Sequence, residues 1–265
     1  MIETLVHAPA LGLRLWDPWT RREIASGPEV SLVADHRPDR KFALSRSPSG
    51  AHVLHAGPPV GAGPAPARIE VTDPSRQILS VTARLSLPRS GTWSFDPLAV
   101  PGAPEGSTPV FPHPSRPCPR GWVRFRADLR RESNGKPVPW AVMEVKLGTD
   151  LVAIGLSDAQ GALAAALPAP PPRKRPLGLP DATPFETSAW TFSVRLRWSP
   201  DRLADDVPDL ADLAAQPFVD ADTSPSDALG AVFARPGDNI LVSGTRPAWG
   251  AAPTDDRSSF LFLKA

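Results

Sequence analysis

Residues 121–167 read GWVRFRADLRRESNGKPVPWAVMEVKLGTDLVAIGLSDAQGALAAAL. Val123, Phe125, Ala127 and Leu129 alternate with Arg124, Arg126, Asp128 and Arg130, the period-two pattern of a strand with one buried face. Ser133-Asn134-Gly135 follows, and Asn-Gly supplies the positive φ angles of a tight hairpin. Ala141, Met143, Val145 and Leu147 alternate again, Gly148-Thr149-Asp150 turns the chain into the apolar run 151–156, and a turn at 157–161 leads to Leu163, Ala165 and Leu167. These residues describe a small antiparallel β-sandwich.

Outward from this stretch, the N-terminal side carries short strand patterns at Leu11, Leu13 and Leu15, at Val30, Leu32 and Ala34, at 51–55, at 68–71 and at 79–87. Such spacing, with turn residues between, reads as a sandwich. His36 to Lys41 reads as a polar connection, and 58–66 as an exposed, low-complexity loop. Eight prolines fall between positions 97 and 119, which reads as a semi-rigid connector. On the C-terminal side Trp190, Phe192, Val194, Leu196 and Trp198 alternate with polar residues and close the second sandwich. Ser199-Pro200 opens a helical segment, and Pro208 splits it into two short helices. Strands near 239–243 and 259–264 must pair with the body or with another chain. The expected organisation is an N-terminal β-sandwich over 1–96, a proline-rich connector over 97–119, a second β-sandwich over 120–200 and a C-terminal extension over 201–265.

Composition narrows the function classes. The chain holds 35 prolines in 265 residues, well over twice the usual ~5%, which favours strands and extended connections over helices. A net charge of +1 from 29 basic and 28 acidic residues argues against a dedicated nucleic-acid binder. The single Cys118 rules out an intrachain disulfide framework. Neither a signal peptide nor a run of ~18 apolar residues is visible, so a cytoplasmic location without a membrane span is expected.

The sequence carries no coherent catalytic constellation, and a non-enzymatic role without cofactor is expected. His52 and His55 stand three apart in a strand and so point to opposite faces, which does not favour a metal site. There is no G-x-S-x-G elbow and no glycine-rich phosphate loop. Cys118 lies between two prolines, a poor setting for a nucleophile, and the acidic run 201–212 lacks the order of a calcium loop. Arg173-Lys174-Arg175 reads as a solvated loop. Trp16, Trp19, Trp93 and Trp249 lie near turns, where an aromatic can stack on a sugar or anchor a protein contact; the alternative is that they cap sandwich cores. Phe260, Leu261, Phe262 and Leu263 form an apolar terminal strand whose edge must be covered, either within its own sheet or by docking onto a neighbour. Trp16, Trp19, Trp249 and residues 260–263 are therefore the candidate interface, and Gly135 and Gly161 the turn glycines expected at positive φ.

Two resemblances add to this reading. The strand WVRFRADL, the re-entry Gly135-Lys136-Pro137-Val138-Pro139-Trp140-Ala141-Val142-Met143 and the turn Ser157-Asp158-Ala159-Gln160-Gly161 resemble the transthyretin-like, carboxypeptidase regulatory-like domain family. That family is a non-catalytic β-sandwich module. Asp17-Pro18-Trp19-Thr20, the strand 49–54, the segment 71–81 and the stretch 109–117, taken in order, resemble a family encoded with extracellular contractile injection systems, the phage-tail-like particles. The resemblance implies a structural or accessory protein at the cap, baseplate or sheath periphery. Its partners would be other particle subunits, with homo-oligomers in the assembly, and it would be made in the cytoplasm and built into a particle that can be released. The alternative is a carbohydrate- or surface-binding β-sandwich module. The expected fold is mainly β: two immunoglobulin-like or transthyretin-like sandwich units and a short helical segment near the C-terminus.

Overall fold

A computed structural model describes residues 11–24, 26–35, 37–54, 65–87, 98, 100–168, 190–202, 207–219, 221–222, 232–234, 238–242 and 260–263. Among these the protein is mainly β, with several sheets and a single short α-helix. The chain divides into two compact units, Met1–Pro112 with Asp205–Ala215, and His113–Ala204 with Gln216–Ala265.

The first unit contains β1 (Leu11–Asp17), β2 (Arg22–Glu23), β3 (Glu29–Ala34), β4 (Arg37–Ala43), β5 (Ser45–Arg46), β6 (His52–Leu54), β7 (Ala65–Thr72), β8 (Val81–Leu87) and β9 (Ser107–Pro109). One sheet runs β2-β1-β6-β5, with β9 parallel to β1; the other runs β4-β3-β7-β8. Leu11, Leu13 and Leu15 of β1 are buried between exposed Gly12 and Arg14, as their alternation requires. In the second sheet Leu32, Ile69 and Ala83 stand in register and are buried. β4 occupies the segment expected to be a polar connection. It is an edge strand with exposed Arg40 and Lys41, so no apolar alternation announces it, and Pro38 and the charges suit an unpaired edge.

Part of the proline-rich stretch is core rather than free connector. Val110 donates to the Trp16 carbonyl at 3.0 Å, Leu79 donates to that of Phe111 at 2.8 Å, and Val110 and Phe111 are fully buried. The opposite edge, β8, is covered by a distant segment. Thr82 donates its N–H to the Pro208 carbonyl at 2.9 Å, and helix α1 (Leu210–Ala214) follows with Leu210 and Leu213 buried. Asp209 caps α1 by accepting from the Ala211 N–H at 2.9 Å.

The second unit contains β10 (Trp122–Arg131), β11 (Val142–Leu147), β12 (Asp150–Ser157), β13 (Ala162–Pro168), β14 (Trp190–Arg197), β15 (Phe218–Val219), β16 (Ala221–Asp222), β17 (Val232–Ala234), β18 (Asn239–Leu241) and β19 (Phe260–Leu263). A 3-10 turn spans Pro200–Arg202. The strand path is β15-β14-β11-β12-β13-β10-β19-β16. Laid flat, β10 and β14 would stand about 19 Å apart, four spacings of ~4.8 Å. The Phe125 and Phe192 rings nevertheless meet edge to face at 5.5 Å. The sheet therefore folds over on itself, and the two paired positions between β12 and β13 mark where it turns. Between the layers lie Phe125, Leu129, Met143, Leu163, Phe192 and Trp198, each almost fully buried.

The Asn-Gly turn does not join neighbouring strands, because β10 and β11 belong to opposite layers. Gly135, at φ +68°, closes a local turn by donating to the Arg131 carbonyl at 2.8 Å; Val138 bonds back to Leu129, and the chain then crosses. Ser157 Oγ fixes the crossing, accepting from the Ala141 N–H at 2.7 Å and donating to the Val138 carbonyl at 3.0 Å.

Candidate functional site

The outer face of the β4-β3-β7-β8 sheet gathers the polar side chains that alternate with the first unit's core. Register places Lys41, Val33, Arg68 and Arg84 in one row across the sheet, and Ala43, Ser31, Glu70 and Thr82 in the next. Glu70 bridges two cations, Lys41 Nζ at 2.6 Å and an Arg68 guanidinium nitrogen at 3.3 Å. Arg84 pairs with Asp212 at 2.8 Å and approaches buried Asp209 at 3.6 Å. Arg68 and Arg84 stand directly opposite each other, an unfavourable pairing that these carboxylates offset. Burial raises the pKa of the Asp209 carboxyl despite the hydrogen bond it accepts from the Ala211 N–H and the nearby charge of Arg84.

Two clefts open on this face. One, of about 390 Å³, lies where the chain passes from β4 to β5; Glu29, Ser31, Lys41, Arg46, His52 and Thr72 contribute to its walls. The other, of about 370 Å³, runs past Arg68, Thr82 and Val207. They share Lys41, Glu70 and Thr72, so they meet at the Lys41–Glu70 ion pair as one furrow. His52 is 3% exposed and its Nε2 has no hydrogen-bond partner; buried Nε of Arg68 has none either. Burial, and then the charge of Arg46, lower the His52 pKa, which favours the neutral ring.

The candidate interface residues do not converge on a surface. Trp16 and Trp19 are buried at the end of β1, where Asp17 accepts the Trp19 N–H at 2.8 Å, so they cap the core. Trp249 and Trp93 lie outside the described residues, as do His7, His36, His55 and Arg173-Lys174-Arg175. Leu261, Phe262 and Leu263 are buried and Phe260 is half-buried, because β19 pairs in parallel with β10 and antiparallel with β16. The terminal strand is thus covered within its own unit, and these side chains are not a free docking edge. Gly161 has φ +81°, and a Cβ there would fall 2.5 Å from the Leu129 carbonyl oxygen. The Cys118 thiol is half-buried and its pKa is pushed up by that burial. Among the described residues no three His, Cys, Asp or Glu side chains converge as a metal site.

The sequence reading missed two features. One is the furrow, whose residues come from six strands and share no sequence motif. The other is Phe218, 45% exposed, with the guanidinium carbons of Arg195 and Arg197 each 4.3 Å from its ring centroid. Glu144 holds Arg197 at 2.7 Å. Trp140 is strained, a bulky residue at φ +58°.

No protein-family model matches the chain, and no curated protein does. Among solved structures, an aspartate-to-asparagine mutant of the shaft pilin SpaA from Lactobacillus rhamnosus GG is 12% identical, with 75% of this chain and 95% of that one covered, at a TM-score of 0.22. A glutamate-to-alanine mutant of the same pilin is 10% identical over the same shares, at a TM-score of 0.18. Superpositions this loose carry no argument about function.

Proposed function

We propose that this chain is a non-catalytic structural or accessory protein of a phage-tail-like contractile particle, docking onto neighbouring subunits at the cap, baseplate or sheath periphery. In this reading the second unit is a transthyretin-like module, and the protein is made in the cytoplasm and built into the particle. The motifs at 17–20, 49–54, 71–81 and 109–117 support the particle, and those at 135–143 and 157–161 support the module. The observation that carries docking is Phe218. A large exposed aromatic ring braced by two guanidinium groups, one of them fixed by Glu144, has the composition of an interface hot spot and loses little side-chain entropy on binding.

The test is sedimentation of a tagged full-length chain with particles from the native host. The wild type should enter the particle fraction, and Phe218→Ala with Arg195→Glu should leave it while keeping the wild-type circular dichroism. A wild-type chain that never sediments with particles, or a variant that sediments equally well, overturns the reading.

A further inference from the structure

We propose that the furrow across the β4-β3-β7-β8 sheet is a binding site for a short, neutral saccharide. This goes beyond docking and stands on different residues. The wall carries Lys41, Arg46 and Arg68 against Glu29 and Glu70. An anionic ligand would lie against the carboxylates, and a cationic one against the ammonium and guanidinium groups. Carboxylates only accept hydrogen bonds and these cations only donate them, so a ligand crossing both needs groups that do both. Hydroxyls meet that need, and the hydroxyls of Ser31, Thr72 and Thr82 extend the same chemistry along the furrow.

His52, a buried imidazole whose Nε2 has no partner, contributes to one end of the furrow. Exposed Ala43 adds a small apolar surface to the same wall. A peptide carries donors and acceptors too, but its usual mode on a β-sheet is to extend a free edge. Here the furrow crosses the face of β3 and β7, interior strands whose backbones are already paired on both sides.

The experiment screens the labelled full-length protein on an array of neutral glycans. Isothermal titration follows with cellobiose, chitobiose and maltotriose, and with sialyllactose and a glycine-serine tetrapeptide for comparison. A neutral glycan should bind, and Lys41→Ala and Thr72→Val, both on exposed side chains, should each weaken it tenfold or more. Their melting temperatures should stay within about 4 °C of the wild-type value, and Ser193→Ala in the other unit should bind as wild type does. Binding to no neutral glycan, preference for the sialylated sugar or the peptide, or wild-type affinity in both furrow variants each overturns the assignment. Particle sedimentation of the same variants is a separate readout, so loss of the saccharide site and loss of docking are told apart.

Discussion

The interior of the second unit and the outer face of the four-stranded sheet in the first are both β-sheet surfaces, and they treat polar atoms in opposite ways. Between β10–β13 and β11–β14 the buried side chains are apolar, and the buried Ser157 spends both of its bonds on the chain crossing. On the outer face of β3, β4, β7 and β8, ion pairs are half-buried, like charges face each other, and the buried Nε of Arg68 lacks a partner. The first surface gains from every contact it makes. The second leaves interactions unmade, which costs stability and makes sense where something else completes them.

That contrast can be broken most easily in the core. Phe125→Ala removes one ring of the edge-to-face pair and leaves a cavity between the layers; it should cost about 3–5 kcal/mol by denaturant titration. A loss below about 1 kcal/mol would mean the layers are not packed as described. Next comes Gly161→Ala, which forces an L side chain to φ +81° and a Cβ against the Leu129 oxygen. The expected loss is on the order of 1–3 kcal/mol, and wild-type stability would remove the turn from the account.

Among the polar groups of the first unit the effects are smaller and depend on conditions. The lowered pKa of His52 means that the unfolded chain takes up a proton, near the usual 6.5, before the folded chain does. Its contribution is therefore complete above pH 6.5 and is lost as the pH falls below that value. Asp73 behaves in the same sense lower down: burial pushes its carboxyl up, but bonds from Ser75, Gln77 and Ile78 outweigh it, so loss begins only below the usual 3.8. Unfolding titrations of wild type and His52→Leu between about pH 5 and 8 should differ in slope below 6.5, and parallel curves would contradict a buried neutral imidazole. Smallest of all, Lys41→Ala removes an ion pair whose lysine is 63% exposed and should cost under ~1 kcal/mol. A larger loss would make the Lys41–Glu70 pair structural rather than part of an open furrow.

Most strands were legible because one face of each is buried, and that burial prints its period on the sequence. β1, β10 and β14 are examples. β4 was not, since an edge strand with both faces wet carries no such period. Strand neighbours were harder still. Asn134-Gly135 marks a turn correctly but cannot say whether the chain then pairs or crosses, and the crossing depends on Ser157, well downstream. Residues 260–263 announced a buried strand without naming its partner, which is β10. The furrow was invisible because Lys41, Ser31, Arg68 and Glu70 become neighbours only through the register of separate strands.

The most direct measurement is hydrogen–deuterium exchange along the full-length chain, with attention to β19. If the terminal strand belongs to the core, the amides at 261–263 exchange as slowly as their partners at 129–131 on β10, and both slow together. Exchange within seconds at 261–263 while 129–131 stay protected would contradict the account. It would return the C-terminal strand to the surface as a docking element.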